Sequence, residues 1–260
     1  MPIFTKFQGV HTMKVLKKLY DKSKIIFAIT WIVAYCVLLS VGDSLSELVG
    51  IQKSVTLAVG ALLSFILFLF ISKNGLLREY GLCKSETSPK VMLFYCPVIV
   101  MMGANLFYGV KLNFGIAETI LYVLSMLFVG FLEEVIFRGL LFNAMRKDNF
   151  SAAVIVSSVT FGIGHIINLV NGSGAEIIPN ILQIIYATSA GFMFVMMYCK
   201  EKSLIACIAS HGIFNAISVF VNESNITVES QILSCAFLTV VTGGYAVYLA
   251  ILLRKSNSLK

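Results

Sequence analysis

The sequence predicts an all-α, polytopic membrane protein with about eight transmembrane helices. Three observations carry that expectation. Hydrophobic residues make up 58% of the 260 and charged residues only 13%, with a mean hydropathy of +0.90. Soluble domains carry about 45–50% apolar and about 25% charged residues, so an ordinary globule, a disordered chain and a nucleic-acid-binding domain are excluded. Eight apolar segments approach the roughly 20 residues that a helix needs to cross a bilayer. Finally, the basic residues alternate between the connecting segments in a strongly one-sided way.

The segments run over roughly 25–41, 55–72, 91–110, 116–145, 151–170, 179–199, 203–221 and 231–253. The first follows six lysines and exceeds the apolar run of about 7–15 residues of a cleaved signal peptide, so it reads as a retained anchor. The second holds Leu62-Leu-Ser-Phe-Ile-Leu-Phe-Leu-Phe70, apolar on every side. The ~10-residue alternation of a membrane barrel is absent. The fourth is too long for one simple crossing and is expected to span and then continue along the cytoplasmic face. Between the second and third, 73–90 is expected to hold a short amphipathic surface helix. The six cysteines form no C-x-x-C pair and read as small buried hydrophobes.

With the N-terminus inside, 17 of the 20 basic residues fall in cytoplasmic segments; Lys53 and Lys111 lie outside and Arg138 lies within the fourth span. That asymmetry predicts an even number of crossings with both termini cytoplasmic, in the plasma membrane if the source is bacterial. It also accounts for the net charge of +7 without an anionic partner. The organisation read from this is a basic tail over 1–24, one membrane domain over 25–253 and a short tail over 254–260.

Ionisable groups inside a span cost about 2.5–3.5 kcal/mol each on insertion scales, so they face the protein interior and mark function. The candidates here are few: Glu133, Glu134 and Arg138; His165; and His211 with Asn215. Glu134 and Arg138 are i, i+4 and suited to pairing, whereas Glu133 lies about 100° round the helix and is free to point elsewhere. His211 and Asn215 share a face, as do Phe161 and His165, which places a ring against the imidazole. A carboxylate beside a second carboxylate suits a general base. A histidine can share its water or bind a metal that acidifies that water, and a histidine with an asparagine can donate to a developing oxyanion. A buried ion pair and interhelical glue would explain single members of this set. The three charged groups together would cost on the order of 8–10 kcal/mol unpaired, which argues against packing alone.

These residues resemble the CPBP family of intramembrane proteases, which includes the Rce1-type CaaX prenyl endopeptidases and the bacterial Abi-type proteins. The family pattern E-E-x-x-x-R, F-x-x-x-H and H-x-x-x-N reads here as Glu133-Glu134-Val-Ile-Phe-Arg138, Phe161-Gly-Ile-Gly-His165 and His211-Gly-Ile-Phe-Asn215. It covers roughly 125–220. The resemblance implies an Rce1-like helical bundle and a hydrolase acting as an endopeptidase. In it, Glu133 and His165 activate water, His211 and Asn215 form the oxyanion site, and Glu134, Arg138 and Phe161 support them. The family is described both as glutamate-type and as metal-dependent, so Glu133, His165 and His211 are also candidate ligands for a divalent metal such as zinc. The implied partners are the lipid bilayer and a peptide or lipidated-protein substrate, of CaaX type or of bacteriocin or signal-peptide type.

Other classes fit less well. No H-E-x-x-H occurs, Asn171-Gly-Ser-Gly174 reads as a turn, and Asp43 is the one aspartate near a span. Two readings compete: a non-catalytic scaffold or bacteriocin self-immunity protein, and a proton-coupled transporter, though no inverted repeat is seen. One geometric tension is expected. Counted from the cytoplasmic ends, His165 is about 14 residues deep and His211 about 8. That is about 9 Å apart on upright helices, so tilting, bending or close approach at Gly162, Gly164 and Gly212 is required.

Overall fold

The computed structural model describes residues 13–169 and 176–256. His11, Asn171–Gly174 and the last four residues lie outside this description. Nine helices are present among the described residues: α1 (13–22), α2 (Lys24–Val49), α3 (Ser54–Lys73), α4 (Cys96–Met102), α5 (Ile116–Met145), α6 (Phe150–Gly164), α7 (Ile177–Glu201), α8 (Ile205–Ile217) and α9 (Val228–Lys255). Helix starts follow local chemistry. Ser23 and Asn149 accept from the backbone N–H three residues on, and Thr227 and Ser230 form a reciprocal capping box. Gly50 closes α2 in the left-handed region at φ 73°.

Six helices, α2, α3, α5, α6 with its extension to Leu169, α7 and α9, are long and apolar enough to cross a membrane. The remaining two of the eight expected spans are shorter. Residues Leu93–Tyr108 break at Gly103 into α4 and 3-10 turns, and Ile205–Phe220 contains α8 of 13 residues, about 20 Å long. The count of eight therefore holds for apolar segments and not for full-length crossings. Large side chains such as Leu62, Phe65, Leu233 and Val240 stay exposed on the outer surface of the bundle. That is what a lipid-facing wall requires, since hydrocarbon is as apolar as the core.

Two apolar clusters fill the interior. One joins α4, α7 and α9 through residues such as Phe194, Met197, Tyr245 and Leu249. The other joins α1, α2, α3 and α5 through Phe27, Leu67, Phe70 and Ile136. The segment read as a polar tail contributes to the second, because Tyr20 of α1 is buried and meets the Tyr80 hydroxyl at 2.9 Å.

Two further expectations are corrected. Residues 76–90 form hydrogen-bonded turns and not a helix. They fold over the α7–α8 turn: Leu204 N donates to Gly81 O at 2.7 Å, and Thr87 Oγ1 donates to Lys200 O at 2.9 Å. Nor does the second half of α5 run along a surface. Leu132 to Asn143, twelve consecutive residues, are all buried, so this part of the helix runs inside protein and only its last turn nears the surface. Gathered at that end are Arg78, Lys84, Arg146, Lys147, Lys200 and Lys202, hereafter the basic end. At the opposite end, Val110 and Val221 form one bridge pair, and Asn113 Nδ2 donates to the carbonyls of Val219 and Val221.

Candidate active site

The site is built where α5 and α8 touch. A Cβ placed on Gly130 would lie 2.6 Å from Gly212 N and 2.7 Å from its Cα, so the two backbones approach only because both residues lack side chains. Gly130 sits just before Glu133, and Gly212 directly follows His211. The contact of these backbones therefore delivers the carboxylates to the imidazole.

Beyond this contact α5 changes pitch. Glu134–Phe142 is π-helical, with i→i+5 hydrogen bonds, a rare form that is frequent at functional sites. Glu133 and Glu134 straddle one imidazole: His211 Nδ1 lies 2.8 Å from Glu134 Oε1, and Nε2 lies 3.3 Å from Glu133 Oε2. Glu133 does not point away as its angular offset allowed, because the His211 ring enters between the two side chains. Arg138 Nη1 donates to the same Glu134 oxygen at 3.1 Å, both residues being fully buried. The guanidinium also lies 4.2 Å from the Phe161 ring centroid and 5.4 Å from that of Phe194. His211 stacks on Phe194 at 5.3 Å.

Phe161 organises the two imidazoles. It meets His165 edge-on at 5.2 Å and His211 edge-on at 5.5 Å. The depth mismatch expected between the histidines is absorbed at both helices. α8 starts beneath the cover of residues 76–90, with Ser203 and Leu204 fully buried, so counting from the surface misjudges its height. α6 ends at Gly164, and His165 opens a 3-10 turn. Gly162 packs against α7, where a Cβ would meet Ile184 O at 2.9 Å, while Gly164 has no neighbour within 4 Å and plays no such part. His165 Nδ1 faces Phe161 O at 3.1 Å, and its own carbonyl accepts from Asn180 Nδ2 at 2.8 Å.

A cavity of about 340 Å³ is lined by Glu133, His165, Asn215, Phe137, Phe161 and Tyr35. A smaller one of about 40 Å³ lies behind it, between His165, His211 and Asn215, large enough for about one to three water molecules. The structure thus brings Glu133, His165, His211 and Asn215 to one place, with Glu134, Arg138 and Phe161 packed against them.

Two contributors have no counterpart in the motifs. Tyr35, on α2, donates to Glu133 Oε1 at 2.7 Å. Gly130 makes the α5–α8 contact. A tyrosine in an apolar run carries no pattern that separates it from a packing residue, whereas Gly130, one turn before Glu133, was a readable hint. As a metal set the candidates fit poorly. Both His211 nitrogens face carboxylates, Glu133 Oε1 is held by Tyr35, and no group of three or more His, Cys, Asp and Glu side chains among the described residues is arranged around a common point.

Residues 115–217 match the family model described as type II CAAX prenyl endopeptidase Rce1-like. A Bacillus subtilis (strain 168) protein, named "Putative membrane peptidase YdiL", is 30% identical over 104 residues. That stretch covers 40% of this chain and 37% of that protein. No solved structure matches significantly. The matched residues run from the start of α5 to the end of α8 and hold every motif position, so over this stretch the chain is similar to the Rce1-like endopeptidases.

Proposed function

We propose that the chain is an intramembrane endopeptidase that cleaves a peptide bond with water activated by Glu133. The observation that carries this reading is the convergence of Glu133 and His211, at 3.3 Å, beside a cavity that also exposes His165 and Asn215. Glu133 takes a proton from the attacking water, which adds to the scissile carbonyl. His165 shares that water. The Asn215 amide, on the shared wall of both cavities, donates to the oxyanion, and the proton on Glu133 then passes to the leaving amine.

The role first given to His211 shifts under this reading. Both of its nitrogens are occupied by carboxylates, so it supports the base and leaves the oxyanion to Asn215. Charge balance supports this. Glu133 and Glu134 set two carboxylates against the one guanidinium of Arg138, and the His211 ring between the carboxylates is the remaining group able to offset them. Keeping a buried cluster neutral avoids the large cost of an uncompensated charge in hydrocarbon. Arg138 holds Glu134, and Glu134 holds His211. No step is routed through a metal, since the donor atoms do not assemble as a ligand set. A proton-coupled transporter and a non-catalytic scaffold have no observation of their own in support.

The test is cleavage of a peptide library by the purified protein in detergent. Glu133→Gln is expected to lower kcat at least a hundredfold, within the range of about 10²–10⁴ for general acid–base groups. His165→Ala is expected to act likewise. Full activity in Glu133→Gln would refute the assignment of the base.

A further inference from the structure

We infer that the peptide reaches Glu133 from the end of the bundle opposite the basic end, so that its substrates are polypeptide segments presented on the non-cytoplasmic face of the membrane. This rests on the endopeptidase reading above and adds the direction from which the site is served.

The route is drawn by two helices. Along α2 the cavity wall runs from Tyr35 through Ser40 to Asp43, two turns and about 12 Å. Along α5 it runs from Glu133 through Met126 to Tyr122, about 16 Å in the same direction. Both lines lead to the α2–α3 turn, where Lys53 pairs with Asp43 at 2.7 Å and Thr56 donates to the same carboxylate at 2.6 Å. The side chains of Lys53 and Asp43 retain 19% and 27% of their exposure, so the cavity meets solvent there.

The other direction is closed. Phe137 is the last residue of α5 towards the basic end that lines the cavity. Below it come the fully buried Arg138–Glu134 pair and the rest of the buried α5 segment. Residues 76–90 then cap the α7–α8 turn beyond that. A peptide arriving among the basic loops would have to displace this packing. The excess of basic residues assigns that end to the cytoplasm, which leaves the mouth at Asp43 and Lys53 on the other face. The wall is also suited to a peptide backbone. Asn168, Gln183 and Ser218 line it alongside the apolar Met126 and Ile167, and about 340 Å³ lies at the low end of ligand-pocket volumes, fit for a short extended segment.

Native cysteines provide the probe. Cys36 lines the cavity, and Cys83 lines the groove at the basic end. Full-length variants retaining only Cys36 or only Cys83, and a third with Ser40→Cys in a cysteine-free background, would be treated with a membrane-impermeant thiol reagent in intact cells and in inside-out vesicles. The expected result is labelling of Cys36 and of the residue-40 thiol at least tenfold faster in intact cells, with Cys83 labelled at least tenfold faster in inside-out vesicles. Labelling of all three from the same side would overturn the proposal, as would a failure of both cavity thiols to react from either side. Labelling does not require catalysis, so a Glu133→Gln background separates the two readings. Expected labelling with undiminished cleavage would sink the base assignment and leave the route standing, whereas reversed labelling with abolished cleavage would do the opposite.

Discussion

Tyr35 and Glu133 stand 98 positions apart in the chain and 2.7 Å apart in space, the phenol donating to Oε1 of the acid. The bond fixes one carboxylate oxygen and leaves Oε2 towards His211. It ties α2, which carries no motif, to the chemistry of α5. Tyr35→Phe keeps the ring and removes the donor. Hydrogen bonds to charged groups contribute about 1.5–3 kcal/mol, so kcat is expected to fall about ten- to a hundredfold with KM little changed. Steady-state kinetics on a fluorogenic peptide, with thermal unfolding as the control for folding, checks this. An unaltered kcat would reduce Tyr35 to packing.

The Glu134–Arg138 pair is expected to behave as a structural unit. Either single substitution, Glu134→Gln or Arg138→Met, strands a buried charge and should destabilise the protein by about 3–5 kcal/mol. The double variant removes both charges and should recover more than half of that loss. Thermal or denaturant unfolding in detergent is the measurement, and additive losses would contradict the pairing.

Close approach at Gly130 and Gly212 is expected to be needed for activity. Gly130→Ala inserts a methyl group where the next backbone atom is 2.6 Å away, so α5 and α8 must separate. Overpacking of this kind costs about 1–3 kcal/mol, and the activity should fall further than stability does because the carboxylate–imidazole contact opens with it. Gly244→Ala, on α9 with no neighbour within 4 Å and outside the cavity lining, is the matched control and should leave both unchanged.

Cleavage is expected to survive prolonged treatment with a strong chelator, together with a metal content below one equivalent by elemental analysis. Both His211 nitrogens and one Glu133 oxygen are already engaged by protein groups. Loss of activity on chelation, restored by zinc, would show that the cluster rearranges around an ion.

At the basic end, burial pushes the Tyr80 phenol above its usual value, and its hydrogen bond to Tyr20 adds to the effect. A raised folded-state value means the neutral phenol is favoured on folding. Its contribution is complete below the unfolded value near pH 10 and is lost as pH climbs past it. Tyr80→Phe should therefore flatten the decline in stability above about pH 10, read from unfolding midpoints across pH 8 to 11. Identical slopes for the two proteins would remove Tyr80 from that response.

Much of the site was legible because charge inside an apolar span is rare and costly. Glu133, Glu134, Arg138 and the two histidines identify themselves on that ground, and their motif spacing supplies the family resemblance. The cavity depended on residues without such a signal. Tyr35 looks like any tyrosine in an anchor helix. The π-helical stretch leaves the i, i+4 spacing of Glu134 and Arg138 intact, so no pattern in the residues announces it. The buried start of α8 depends on residues 76–90, which lie more than 100 positions earlier, and helical depth counted from charged loops could not register that cover.

The burial of residues 132–143 of α5 on every side has a consequence for how the protein is made. Glu134 lies 77 residues ahead of His211, and synthesis at about 5–20 residues per second leaves the acid waiting roughly 4–15 s for its imidazole. Arg138 emerges within about a second and neutralises it meanwhile. A bond that looks like static architecture in the finished molecule thus serves first as an escort, keeping a charged span tolerable to oil until the last partner is translated.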